Sequence, residues 1–122
     1  MDKDIVILVV EDDAIQREIV LDQLEIAGYE EAIGMEDGVE AYSYVEENPT
    51  DLIISDWNMP NMDGLELLKK IRSHPSLHNL PFIMLTANAD VTQNALDAGA
   101  SDFLSKPTNP DKLIEKIKKI FE

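Results

Sequence analysis

The chain has 122 residues, enough to bury one self-supporting core, and a single domain over 1–122 is expected. Its 25 Asp+Glu against 10 Lys+Arg give a formal charge of −15, which repels phosphate backbones and anionic lipids and argues against direct nucleic-acid or membrane binding. Without cysteine no disulfide or thiolate metal site is possible, and no apolar run suggests a signal peptide or membrane span, so a cytoplasmic location is expected.

Ile5–Val10 (IVILVV) runs apolar without alternation, as a strand buried on both faces does. After the acids Glu11, Asp12 and Asp13, residues 14–27 predict a helix with Ile15, Ile19, Val20, Leu24 and Ala27 on one stripe, Ile15 serving either core or contact, and Gly28 ending it. Glu30–Met35 reads as a weaker second strand, and 37–47 as a helix carrying Val39, Ala41, Tyr42 and Val45. Asp51–Ser55 (DLIIS) is the third strand, followed by a helix from about Gly64 with Leu65, Leu68 and Ile71 inward. Pro81–Leu85 predicts a fourth strand, and a shorter helix follows, capped by Asp90 and ended by Gly99. Asp102–Ser105 makes a brief fifth strand. The last helix has Asn109 as N-cap and Pro110 at its first position, with Leu113, Ile114, Ile117, Ile120 and Phe121 facing the core. Such alternation implies an α/β fold, a parallel sheet covered by helices on both faces and wound by right-handed crossovers. His74 and His78 sit among the turn formers of Ser73–Pro81 and read as ordinary loop residues.

In an open parallel sheet, ligands bind beyond the carboxyl ends of the strands. Four of the five predicted strands deliver a polar group there: Glu11, Asp12 and Asp13 after the first, Asp56 after the third, Thr86 after the fourth and Lys106 after the fifth. Asp13 reads as the cap of the first helix. Gathered carboxylates raise one another's pKa unless a cation neutralises them, and an all-oxygen set suits Mg²⁺ or Mn²⁺. Lys106 beside the acids can pair with a carboxylate or grip a phosphoryl oxygen, and Thr86 adds a hydroxyl. Cation, ammonium and hydroxyl all favour the charge of a phosphoryl group in transfer, with Asp56 as the natural nucleophile.

The segments ILVVEDD, DLIISDWNMPNMDGLELLKKIR, PFIMLTA and AGASDFLSKP resemble, in order and at matching intervals, the receiver domain of two-component response regulators. The likeness covers essentially the whole chain and is strongest to single-domain chemotaxis-type regulators. It implies a flavodoxin-like sheet of strand order 2-1-3-4-5. It further implies that Asp56 is phosphorylated by a sensor histidine kinase or a histidine phosphotransfer protein. Glu11, Asp12, Asp56 and the backbone carbonyl of Asn58 would hold Mg²⁺, while Thr86, Lys106 and the Ala87 amide would contact the phosphoryl oxygens. Asn58 and Asn88 would flank that group and tune attack by water, Thr86 and Phe103 would act as the switch pair, and Lys106–Pro107 would be a cis peptide. Tyrosine is frequent in the family where Phe103 stands here, so a signal at that position would pass through packing.

The same resemblance makes the chain a signalling module rather than a turnover enzyme, promoting its own phosphorylation and dephosphorylation. Its output would pass through the face of the fourth helix, fifth strand and fifth helix to a downstream protein, with the chain a monomer or weak homodimer. Lys112, Lys116, Lys118 and Lys119 on that last helix read equally as a solvated polar face or as a basic docking strip for an acidic partner helix or a second copy. The first-helix face with Ile15 and Ile19 resembles the place where phosphodonor helices dock. Two other classes share parts of the pattern. A flavin module of the same architecture is excluded by three acids where its phosphate loop would lie. An aspartyl phosphatase of the haloacid dehalogenase type wants a second acid where Asn58 stands. A receiver belonging to a larger kinase or regulator is the nearer alternative.

Overall fold

The computed structural model describes residues 3–88 and 92–122, so the expected cap Asp90 lies outside the described residues. Strands and helices alternate along the chain: β1 (Ile7–Val10), α1 (Ala14–Ile26), β2 (Ala32–Met35), α2 (Gly38–Glu47), β3 (Leu52–Asp56), α3 (Gly64–Arg72), β4 (Phe82–Thr86), α4 (Thr92–Asp97), β5 (Asp102–Ser105) and α5 (Pro110–Phe121). All strand pairs are parallel and the order is β2-β1-β3-β4-β5, the doubly wound, flavodoxin-like α/β arrangement expected. Among the described residues no helix is long and apolar enough to cross a membrane.

The period of two along a strand divides the core between the two faces of the sheet. Ile7, Val9, Leu52, Ile54, Ile83 and Leu85 pack with Val20 and Leu24 of α1 and Leu113 and Ile117 of α5. Leu8, Val10, Ile53, Phe82 and Met84 pack on the other side with Ala41 and Val45 of α2, Leu67, Leu68 and Ile71 of α3, and Ala95 of α4. Because β1, β3 and β4 are buried over their whole length, their sequences show no polar alternation. The edge strand β2 is half-buried throughout, which is why it reads weakly.

Four residues placed on the helical stripes, on three helices, lie outside the buried core. Ile15 and Ile19 are 74% and 49% exposed, whereas Val20 and Leu24 are buried. At about 100° per residue Ile15 falls roughly 140° around the helix from Val20, so the two belong to different faces. On α3 it is Leu67, not Leu65, that joins Leu68 and Ile71 in the core. Val39 of α2 is likewise exposed.

Among the described residues, side-chain oxygens begin four helices. Asp13, Asp37, Asp63 and Asn109 each accept amide protons from the first turn of α1, α2, α3 and α5. The end of α1 is set by Gly28, whose φ of 97° is open to glycine and costly for other residues. It lets Gly28 N–H reach Glu25 O (2.9 Å) and Tyr29 N–H reach Leu24 O (2.9 Å), while the buried Tyr29 ring packs in the same cluster as Leu24. Asp51, the acid that opens the third strand's sequence, accepts the Val6 N–H at 2.7 Å and so ties the approaches to β1 and β3 together.

Asp37 does two jobs. It caps α2 through the Glu40 N–H (2.9 Å) and accepts the Asn61 side-chain amide (2.7 Å) from the β3–α3 loop. Those bonds, the Glu40 one foremost, hold its carboxyl below the usual range. A depressed folded-state pKa stabilises above the unfolded value, and the benefit is lost as pH falls through the folded one. Asp37→Ala is therefore expected to cost about 1 kcal/mol near neutral pH, the worth of a cap, and less in acid. Urea melts of both proteins at neutral and acidic pH check this.

Candidate functional site

The backbone ladder carries the carboxyl ends of the strands to one rim. Val10 stands opposite Met35 and Ser55, Asp56 opposite Leu85, and Thr86 opposite Ser105. One further bond extends each line: Glu11 N–H to Met35 O at 3.0 Å, Trp57 N–H to Leu85 O at 3.0 Å and Lys106 N–H to Thr86 O at 2.8 Å. Asp56 and Thr86 are thus the last residues of β3 and β4 rather than loop residues, and both are buried.

At this rim Lys106 Nζ lies 2.8 Å from Glu11 Oε1, 2.9 Å from Asp56 Oδ1 and 2.9 Å from Gln16 Oε1. Asp56 Oδ1 also accepts its neighbour's amide, Trp57 N–H, at 2.9 Å. Carboxylate oxygens of Glu11, Asp12 and Asp56 lie within 4.8 Å of one another, with Asp12 exposed and the other two buried. Burial holds the Glu11 carboxyl above its ordinary pKa, and the charge of Asp56 adds to this against the opposing pull of Lys106. Burial would lower the Lys106 pKa, but the bonds to Glu11 and Asp56 outweigh it and hold the ammonium above its ordinary range. Two buried acids therefore share one cation, an arrangement short of positive charge.

The frame around the acids is closely fitted. Gly64 N–H donates to Trp57 O at 2.8 Å, and a Cβ on Gly64 would overlap the carbonyl oxygen of Asp56. Arg17 Nη1 donates to Glu11 O at 2.7 Å and fixes the backbone that aims Glu11. The loop 57–63 is held to α2 by Gly38 N–H on Met62 O (3.2 Å) and by the Asn61–Asp37 bond. An acidic rim of this design, beyond the carboxyl ends of a doubly wound sheet, suits a hard cation and a phosphate-like group.

The family model for the response regulator receiver domain matches residues 7–118. The chain belongs to that family. It is 40% identical over 114 residues to chemotaxis protein CheY1 of Helicobacter pylori, covering 91% of this chain and 92% of that one. The solved structure of chemotaxis response regulator CheY4 of Vibrio cholerae matches this receiver with a TM-score of 0.87 at 34% identity, over 95% of this chain and 98% of that one. The receiver domain of sensor histidine kinase PA1611 from Pseudomonas aeruginosa matches with a TM-score of 0.86 at 30% identity, over 94% and 95% of the two chains. That structure has a magnesium ion coordinated in its active-site cleft. The present protein is thus a receiver of two-component signalling.

The receiver's rim brings Glu11, Asp12, Asp56 and Lys106 together. Thr86 is at the same rim, but its hydroxyl is engaged in its own turn, donating to Asn88 O (3.1 Å) and accepting Asn88 N–H (3.0 Å). Asn58, Ala87 and Asn88 are exposed on the loops that flank Asp56 and Thr86. The Lys106–Pro107 peptide is cis. Phe103 is half-buried, with Lys116 Nζ 5.5 Å from its ring centroid and bonded to Asp102 at 3.0 Å.

The basic strip expected on α5 is divided. Lys116 is drawn inward to Asp102, and with Lys112 it lines a groove beside Phe103 and Pro107. Lys118 and Lys119 instead line the groove between α1 and α5 with Lys3 and Ile26. His78 Nδ1 lies 3.1 Å from Pro75 O within its loop, whereas His74 Nδ1 accepts Ser76 N–H at 3.0 Å and its Nε2 lies 3.6 Å from Glu46 Oε2 of α2, with the ring edge-on to Tyr42. Gln16 and Arg17 escaped the sequence reading. Their one signal is that they fall in the first turn of α1, directly after the acids that follow β1.

Proposed function

We propose that Asp56 accepts a phosphoryl group from a phosphohistidine of a sensor histidine kinase or a histidine phosphotransfer protein. The observation that supports this most is a buried carboxylate ending the central strand, paired with an ammonium and within reach of two further acids. An oxygen of Asp56 attacks phosphorus, the N–P bond of the donor breaks, and the imidazole leaves as the acyl phosphate forms. Lys106 faces the developing charge, and Thr86 turns from Asn88 O to a phosphoryl oxygen beside the Ala87 amide.

Glu11, Asp12 and Asp56, with the backbone carbonyl of Asn58, would hold Mg²⁺ or Mn²⁺, and their oxygen-only donor set fits such an ion. The ion would supply the positive charge that two buried acids and one lysine lack. Asn58 and Asn88 border the site and tune attack by water on the acyl phosphate, so loading and loss of the phosphoryl group are both promoted by the chain itself. The whole of 1–122 acts as one receiver unit, in the cytoplasm.

The signal leaves through Thr86 and Phe103. When Thr86 turns inward, the half-buried Phe103 ring takes up the room, and the Lys116–Asp102 pair beside it reshapes the α4–β5–α5 face that a downstream protein reads. Such a switch requires the phosphoryl group to favour one arrangement over the other.

A small acyl phosphate with Mg²⁺ is expected to add the mass of one phosphoryl group, and a chelator to prevent it. Equal labelling in chelator would contradict the metal assignment. Lys106→Ala is expected to keep the fold yet lose the response, so that its amide spectrum is the same with and without donor.

A further inference from the structure

An ammonium has three N–H donors, and that of Lys106 has three acceptors: Glu11 Oε1 at 2.8 Å, Asp56 Oδ1 at 2.9 Å and Gln16 Oε1 at 2.9 Å. Two of the three are carboxylates with other work in the reaction proposed above, on which this inference rests. Glu11 and Asp56 would hold a cation, and Asp56 would take the phosphoryl group. Gln16 is the neutral acceptor, and it lies outside the acid cluster. Its own backbone is pinned, since Gln16 N–H donates to the capping Asp13 Oδ1 at 3.2 Å.

We infer that Gln16 is a positioning residue for Lys106, holding the ammonium at the rim of the site while its two carboxylate partners are engaged elsewhere. An amide oxygen suits the task because it directs an N–H without cancelling the positive charge that a phosphoryl group needs. A carboxylate at this position would hold Lys106 harder and weaken its pull on the incoming group. Methionine has similar length and only a weak acceptor, so it would release the ammonium. Gln16 also follows Ile15 and precedes Ile19 by three residues on the first turns of α1, where both isoleucines are exposed. A donor seated on that face would cover the Gln16–Lys106 bond and, by excluding water, strengthen it.

The test compares wild type, Gln16→Met and Gln16→Glu by labelling rate with a small acyl phosphate, by Mg²⁺ titration of Trp57 fluorescence, and by the ¹⁵N signal of the Lys106 ammonium. Gln16→Met is expected to label roughly fivefold more slowly, the worth of one ordinary hydrogen bond, and to lose the sharp ammonium signal while Mg²⁺ affinity stays unchanged. Gln16→Glu is expected to restore the ammonium signal without restoring the rate. A Gln16→Met protein with wild-type rate and wild-type ammonium signal would overturn the inference. Unlabelled wild-type protein would overturn the reading of Asp56 instead, and the ammonium signal judges Gln16 in either case.

Discussion

Asp56→Asn is expected to fold normally and to acquire no stable phosphoryl group from a small donor with Mg²⁺. The substitution keeps the shape of the side chain, and its amide oxygen can still accept from Trp57 N–H and Lys106, which lie 2.9 Å from Asp56 Oδ1 in the wild type. What it removes is the anionic oxygen proposed to attack phosphorus, and an amide is a far weaker nucleophile. It also removes one of three acids that gather at the rim, so Mg²⁺ affinity should fall together with labelling. The loss should be complete within the detection of intact-mass spectrometry, with a thermal melt confirming that the variant is folded. An adduct on the variant equal to that of wild type would show that another group is modified.

Gly64→Ala is expected to destabilise the protein by about 3 kcal/mol and to lower its melting temperature by about 10 °C. Gly64 opens α3, is buried, and donates its N–H to Trp57 O at 2.8 Å, so the helix start lies against the end of β3. A Cβ there would overlap the Asp56 carbonyl oxygen and stand 2.9 Å from Met84 Sδ. The sulfur is the tip of a flexible side chain and can give way, but the carbonyl belongs to a central strand and cannot. Relief must come from moving α3 or the end of β3, and the latter also displaces Asp56. Urea and thermal melts measure the first effect and labelling rate the second. A melt within roughly 2 °C of wild type would show that α3 shifts without cost.

The order of elements was legible because burial on both faces strips the polar alternation from β1, β3 and β4, and because Gly28 and Asn109 punctuate the helices that pack on them. The rim residues were legible for a related reason: Asp56, Thr86 and Lys106 are polar groups set at the ends of apolar strands. Which faces the helices bury was less visible. Ile15 and Ile19 are as apolar as Val20, and only the angle around α1 separates them. The lysines of α5 likewise look like one strip until Lys116 is seen turned to Asp102.

The pairing of Lys106 with the acids was readable from strand order, but two other contacts across long stretches of chain left no trace. Lys106 meets Gln16 across 90 residues, and Val6 meets Asp51 across 45. Nor does the residue type of Thr86 reveal that its hydroxyl is engaged with Asn88 in its own turn. Hydrogen-bond partners of this kind are set by strand register and loop course, which exist only once the sheet has assembled.

The proposed chemistry turns one carboxylate into an acyl phosphate with the help of a divalent ion. Borohydride reduces an acyl phosphate to an alcohol, so treating the labelled protein and sequencing its peptides marks the modified position permanently. Homoserine at position 56, formed with Mg²⁺ and absent with a chelator, is the predicted result. Homoserine at any other aspartate, or marking of Asp56 that ignores the metal, would contradict it.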